Sequence, residues 1–292
     1  MLRRSIALPL LAVAVACSQA APLDPKAIFV YSGGKMSPVA QITDKGIASI
    51  GPEPDAGDET DRWLAPWFAP GGSYHYLGND ARRGTGTVIG PDPSIGEQGC
   101  GSVSADINID VESPGDGLLT NYPLSDVGRP PIAEASPRQV RIMQRIAAGV
   151  MLQRGVPPDV IRKMATVVSR TTAAPRVVII PAHGRTPATM VASYIWDGVT
   201  DIEGAPFNSY TLTLIAEAGK ARRYRPTHVL FQHATAESET SSYAFLTAAD
   251  LDGDGKDEVI LVGSGYEWWW FEAFGKRGAK WRSLASGGGG GC

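Results

Sequence analysis

The sequence has few of the features that identify enzymes or nucleic-acid-binding proteins. Its 292 residues include three cysteines and four histidines, and no His-Glu-x-x-His, Gly-x-Ser-x-Gly or phosphate-loop motif occurs. The 27 Lys and Arg residues do not outnumber the 30 Asp and Glu residues, so there is no basic excess for binding phosphates. We therefore expect no nucleic-acid partner, and the sequence identifies no catalytic residue.

Long apolar runs are also lacking, except near the start of the chain. Two arginines precede the apolar run Ile6–Ala16, which is shorter than the roughly 20 residues of a membrane-spanning helix. This pattern is typical of a secretory signal peptide, and its end, Ala-Val-Ala-Cys17, resembles a bacterial lipoprotein signal over residues 1–17. The resemblance implies cleavage and lipidation at Cys17, and therefore an exported protein held on a bacterial envelope membrane by lipid alone. Ordinary cleavage, giving a secreted or periplasmic soluble protein, is one alternative, and a retained membrane anchor is another.

The remaining two cysteines, Cys100 and Cys292, form an even pair once Cys17 carries lipid. An oxidising compartment allows such a pair to form a disulfide. Cys292 follows five glycines, which we expect to be a flexible tail able to reach Cys100. Two free thiols, or a Cys292 that pairs between chains, are the alternatives.

The first half of the chain predicts a small β-domain. After a polar tether over residues 18–27, short β-segments alternate with glycine and proline turns over 28–112, which favours a small barrel or sandwich. Ser102–Val111 alternates apolar and polar residues, as a half-buried strand does. Several prolines and glycines then predict a linker over 113–136.

The second half predicts a helical pair and another β-domain. Over residues 137–172, apolar residues recur every three or four positions in two segments, and Ser136-Pro137 is a typical helix start. Seven strand-like segments follow in 173–292, which predicts a compact antiparallel domain. The expected fold class is therefore mainly β with a short helical pair.

One acidic motif stands out, and it predicts a calcium site. Asp250, Asp252 and Asp254 occupy alternate positions of a loop whose sixth residue is glycine. The carbonyl of Lys256 and the carboxylate of Glu258 would complete the oxygen-rich coordination that Ca²⁺ prefers, while Asp257 is expected to point outward.

The sequence around this motif differs from an EF-hand. Apolar residues of strand character follow the loop, and Leu261 stands where an EF-hand has its last glutamate. A calcium loop between two strands is similar to the FG-GAP/VCBS repeats, whose signature is D-x-D-G-D-G-x-x-(D/E). The resemblance covers residues 243–275 and implies a partly propeller-like domain with one calcium loop. An earlier segment, Arg185–Thr189, lacks the aspartates. The whole chain resembles exported bacterial lipoproteins that join a β-rich N-terminal region to an FG-GAP-like one.

An aromatic run follows the motif. On a strand, Trp268 and Trp270 share one face, and Trp269 and Phe271 share the other. We expect one pair to fill the core and the other to be covered by the rest of the protein. If Trp268 and Trp270 are instead exposed, they favour stacking on a sugar ring or a partner.

The sequence thus favours an exported calcium-binding protein that acts as a non-enzymatic binding or scaffold protein of the cell envelope. Its partner would be an envelope protein or glycan. A carbohydrate-binding module that uses Trp268 and Trp270 is one alternative. A hydrolase whose catalytic residues are not identified is the other.

Overall fold

A computed structural model describes residues 25–50, 65–92, 103–124, 128–167, 177–197, 207–219 and 223–291. These residues form sixteen strands and two α-helices, so the predicted fold class, mainly β with a helical pair, is confirmed. Among them, no helix combines the length and apolarity that crossing a bilayer requires. The predicted signal segment and all three cysteines lie outside the described residues.

The N-terminal region is a six-stranded antiparallel barrel, with a short extra strand beside it. The strand order is β1-β7-β4-β5-β6-β2, and β2 also pairs with β1, which closes the barrel. The strands are β1 Lys26–Ser32, β2 Lys35–Thr43, β3 Gly46–Ala48, β4 Ser73–Gly78, β5 Arg83–Pro91, β6 Ala105–Ile109 and β7 Gly117–Thr120. Phe29 is fully buried inside the barrel and contacts Trp67 and Tyr74 edge-on or at a tilt.

Strand β7, which lies between β1 and β4 in the barrel, is in the segment 113–136 that the sequence predicted as a linker, so that part of the prediction was wrong. All four residues of β7 are buried, and the strand pairs with β1 on one side and β4 on the other. Leu119 points into the barrel, and Leu118 packs in the core outside it. A strand that is apolar on both faces shows no alternation, and four residues are too few to reveal any other periodicity.

A five-stranded antiparallel sheet and two helices follow. The sheet has the order β12-β11-β10-β9-β8, formed by β8 Ala133–Glu134, β9 Val178–Ile180, β10 Thr189–Asp197, β11 Ser209–Ala218 and β12 Tyr224–Ala234. Helix α1 (Pro137–Gln153) begins with a capping box between Ser136 and Gln139, and α2 is Pro158–Val167. Apolar residues of both helices pack on one face of the sheet, around Met143 and Met190.

The last four strands form a meander that joins the other two bodies. They are β13 Ser242–Ala249, β14 Glu258–Ser264, β15 Trp268–Arg277 and β16 Lys280–Gly291, in sequence order. One face of the meander packs on the barrel through residues such as Phe271, Ala273 and Leu118. The other face packs on the five-stranded sheet through Phe274, Leu261 and Val191. The described strands therefore stack as layers and are not arranged as blades about an axis.

Strand β16 corrects a second expectation, because the glycine run is part of the sheet and not a flexible tail. Trp268 is paired with Gly291, and Phe271 with Gly287. The edge strand lies so close to β2 that a Cβ added at Gly287 would be 2.5 Å from the carbonyl oxygen of Val39. Glycine is required here for close approach of two backbones, a role that composition alone does not distinguish from flexibility.

Candidate metal site

The acidic loop connects β13 to β14 and is closed by the pairing of Ala249 with Glu258. Gly253 and Gly255 adopt positive φ angles of 79° and 83°, which side-chain-bearing residues rarely tolerate. The two turns at these glycines fold the aspartates toward one another. The Asp-x-Asp-Gly-Asp-Gly pattern therefore encodes the shape of the loop as well as its charge.

Backbone hydrogen bonds hold the first two aspartates in place. Asp250 accepts from the Gly253 amide at one carboxylate oxygen and from the Gly255 amide at the other, each at 2.9 Å. Asp252 Oδ1 accepts from the Asp254 amide at 3.2 Å. These local bonds are the kind by which aspartates stabilise turns, and they help to orient the carboxylates.

The structure brings Asp250, Asp252 and Asp254 together as predicted. One carboxylate oxygen from each lies within 4.8 Å of the other two, and Asp250 is buried. Two oxygens that share a Ca²⁺ at about 2.3–2.6 Å are at most about 5 Å apart, so this spacing fits that ion. Three carboxylates this close repel one another unless a cation or water compensates their charge.

Two basic side chains supply part of that compensation. Lys256 Nζ forms a salt bridge with Asp254 Oδ2, and Arg277 Nη1 lies 3.8 Å from Asp252 Oδ2. Burial alone would raise the pKa of Asp254, but hydrogen bonds from Lys256 hold it below its ordinary value. All of these groups are partly exposed, so their interactions are weakened by water.

Glu258, which the sequence placed among the metal ligands, is not a member of the three-carboxylate cluster. Its side chain is 2% exposed, and Oε2 accepts from the Leu251 amide at 3.0 Å. Burial raises the pKa of Glu258 to about 8, and the three aspartates add to the effect while the Leu251 hydrogen bond opposes it. In this arrangement Glu258 ties the first turn of the loop to the start of β14.

Asp257 does not point outward as expected, since it is 3% exposed. Its amide donates to Thr186 Oγ1 at 2.6 Å, and the Arg185 amide donates to the Gly255 carbonyl at 2.7 Å. Arg185 and Thr186 belong to the turn before β10, in the segment Arg185–Thr189 that the sequence analysis described only as lacking the aspartates. Its role is to dock the five-stranded sheet onto the acidic loop.

The barrel also contacts the loop. The hydroxyl of Tyr122, just after β7, donates to the Leu251 carbonyl at 3.0 Å. Burial raises the pKa of this phenol, and the negative charges of Glu258, Asp252 and Asp250 raise it further. No sequence pattern predicts this contact, because Tyr122 lies 129 positions from Leu251.

The aromatic run of β15 is divided between its two faces as predicted, but one face is not covered. Phe271 is 4% exposed, and Trp269 packs beside it in the core against the barrel. On the other face Trp270 is half-buried and Trp268 is 56% exposed. The expectation that this second face would be covered was therefore wrong for Trp268.

Comparisons with known proteins identify no relatives. Neither a scan against protein-family models nor searches of the curated proteins and of the solved structures finds a match to this chain. The resemblance to FG-GAP/VCBS repeats therefore rests on the residues of the loop and stays a prediction.

Proposed function

We propose that the chain is an exported calcium-binding protein of a bacterial cell envelope, in which one Ca²⁺ stabilises the joint between the barrel and the two sheets. The observation that carries the proposal is the spacing of the Asp250, Asp252 and Asp254 carboxylates, three anionic oxygens within 4.8 Å of one another. The predicted export signal and the resemblance of the loop to FG-GAP repeats support the same role. On this proposal the protein binds or scaffolds and does not catalyse.

A structural role for the ion follows from the contacts of the loop. Leu251 is bonded to Tyr122 of the barrel region, and Asp257 to Thr186 beside β10. An ion that fixes the three aspartates would therefore stabilise the contacts of the meander with both the barrel and the five-stranded sheet. Binding to the folded state alone stabilises a protein by about 2.7 kcal/mol at a ligand concentration 100 times the dissociation constant.

Thermal melting of the purified protein in EDTA, in millimolar CaCl₂ and in millimolar MgCl₂ tests the proposal. The matched variant is Asp252→Asn with Asp254→Asn, which removes two charges but keeps side-chain oxygens that can accept the turn hydrogen bonds. Asp44→Ala, at an exposed turn between β2 and β3, is the control. We expect CaCl₂ to raise the melting temperature of the wild type and of the control, and to leave the double variant unchanged.

The magnesium sample separates calcium from a general effect of divalent charge. A rise in CaCl₂ that MgCl₂ does not reproduce supports a flexible oxygen site of the calcium type. If CaCl₂ leaves the wild-type melting temperature unchanged, the proposal fails, and the loop is an acidic turn neutralised by Lys256 and Arg277.

A further inference from the structure

The exposed indole of Trp268 is held in place more firmly than an isolated surface side chain. Its ring is stacked on that of Trp270, with centroids 4.3 Å apart and planes 22° from parallel. Trp270 is fixed in turn by Tyr243, which meets it edge-on at 5.5 Å, and by the bond from its Nε1 to Glu272 Oε2 at 3.3 Å. The two indoles form a stack whose outer member presents a ring to solvent.

Two glycines on the neighbouring strand make room for this stack. Gly263 is the register partner of Trp270, and a Cβ there would lie 2.2 Å from Trp270 Cε2. A Cβ at Gly265 would lie 2.4 Å from Trp268 Nε1. Neither glycine has a positive φ, so space and not backbone conformation explains both. A Gly-x-Gly segment thus lies against a Trp-x-Trp segment and positions both rings before any ligand arrives.

Polar groups adjoin the stack at one side. Tyr243 donates its hydroxyl to Glu272 Oε2 at 2.8 Å, the same oxygen that Trp270 uses. These two bonds hold the inner indole of the stack in place. Glu267, beside Trp268, is exposed.

We propose that the stacked indoles of Trp268 and Trp270 form a binding site for a neutral sugar. A pyranose has an apolar C–H face that an indole can cover. The hydroxyl groups at its rim can donate hydrogen bonds to carboxylates. The charged groups at this end of the hairpin, Glu267 and Glu272, are both acidic, so charge favours an uncharged glycan over an anionic one. The proposal does not depend on the acidic loop binding calcium.

The size of the patch favours a small ligand over a protein partner. Trp268 and Tyr266 are 56% and 52% exposed, and an aromatic side chain offers about 150–250 Å², so together they present roughly 200 Å². A stable protein interface needs about 800 Å² from each partner. The other large apolar side chains that are exposed in the described part of the chain are Ile89, Leu152 and Ile195, none of them on this hairpin.

Isothermal titration of the protein with chitotriose, maltotriose and cellotriose, in separate experiments, tests the proposal. Trp268→Ala removes the outer ring, and Leu152→Ala, at a residue that is also 56% exposed, is the matched control on helix α1. We expect at least one of the sugars to bind at millimolar concentration or below. Trp268→Ala should weaken that binding about tenfold or more, as removal of a stacking ring does at other binding sites. Leu152→Ala should leave it unchanged.

Gly265→Ala supplies a second variant that keeps all the aromatic residues. Because its Cβ would displace the Trp268 ring, it should weaken sugar binding if prior positioning of the ring matters. Phosphatidylethanolamine–phosphatidylglycerol vesicles are added as a separate sample. Binding of no sugar, equal sugar affinity in the wild type and Trp268→Ala, or a Trp268-dependent association with vesicles alone would each overturn the proposal.

Discussion

Gly288 gives the sharpest test of how the meander sits on the barrel. It has a φ of +59°, and a Cβ added there would lie 2.6 Å from the Pro38 carbonyl oxygen and 2.8 Å from Phe271 Cδ2. A left-handed conformation costs a non-glycine residue about 1–2 kcal/mol, and overpacking a tight contact costs about 1–3 kcal/mol. Gly288→Ala should therefore lower the free energy of unfolding by about 2–5 kcal/mol.

Urea unfolding, followed by circular dichroism and tryptophan fluorescence, measures this loss directly. In thermal melts the expected shift is about 2 °C per kcal/mol for a chain of this length. Gly287→Ala meets the Val39 backbone but has no positive φ, so its loss should be smaller than that of Gly288→Ala. Gly90→Ala, on barrel strand β5, has open space around the added Cβ and an ordinary φ, and is the control.

The reasoning assumes that β16 is docked on β2 in solution. If Gly288→Ala unfolds at the same urea concentration as Gly90→Ala, the glycine run is not held against the barrel, and the original expectation of a flexible tail is restored. A loss at Gly288 that equals the loss at Gly287 would instead show that the clash matters and the backbone strain does not.

Three further predictions concern other layers. Leu118→Ala, at a fully buried residue of strand β7, should lower the free energy of unfolding by about 2–5 kcal/mol, measured by urea unfolding. Ser136→Ala removes the N-cap of α1 and should cost about 1 kcal/mol, measured in the same way. Burial lowers the pKa of His228 below 6.5; the charge of Arg282 lowers this pKa further, and the charge of Glu272 raises it. The unfolded chain therefore takes up a proton at His228 more readily than the folded protein does. Stability should therefore fall as the pH drops below about 6.5, and His228→Gln should lose less stability than the wild type between pH 7.5 and pH 5; equal losses would contradict this.

Local sequence patterns predicted the elements that have a clear period and clear boundaries. Helix α1 was predicted from the Ser136-Pro137 start and from apolar residues on one face, and its start agrees with the structure. Two of the longer strands of the second half were predicted over Thr189–Trp196 and Ser209–Ala216, and in the structure they are β10 (Thr189–Asp197) and β11 (Ser209–Ala218). In each case the spacing of the apolar residues predicts the element, because packing on one face of a helix or strand determines that spacing.

The elements that were missed depend on contacts between distant parts of the chain. Strand β7 is identified by its pairing with β1 and β4, and β16 by the approach of its glycines to β2. Neither contact leaves a periodic trace in the sequence. The exposed face of Trp268 was missed for the same reason. Gly263 and Gly265, which make room for the two indoles, are identified as their neighbours only when the strand register is known.

The acidic loop shows the same division between local and distant information. Its aspartates and glycines predicted the cluster because hydrogen bonds within nine residues position them. The contacts that give the loop its place in the fold come from Tyr122 and Thr186, which are 129 and 71 positions away from their partners. Sequence reasoning therefore identified which residues could hold an ion, but not what the ion would stabilise.

If the loop binds calcium as proposed, these distant contacts would also determine how ion binding and folding are coupled. The loop lies at the end of the four-stranded meander, which shares one core with the barrel and another with the five-stranded sheet. If the aspartates repel one another without an ion, the strain acts on bonds to both neighbours, through Leu251 and through Asp257. Loss of the ion should therefore loosen both interfaces together and should not unfold the loop alone. The proposed sugar site at Trp268 lies at the opposite end of the β14–β15 hairpin from Glu258, so it would respond to a bound ion only through the rigidity of those two strands.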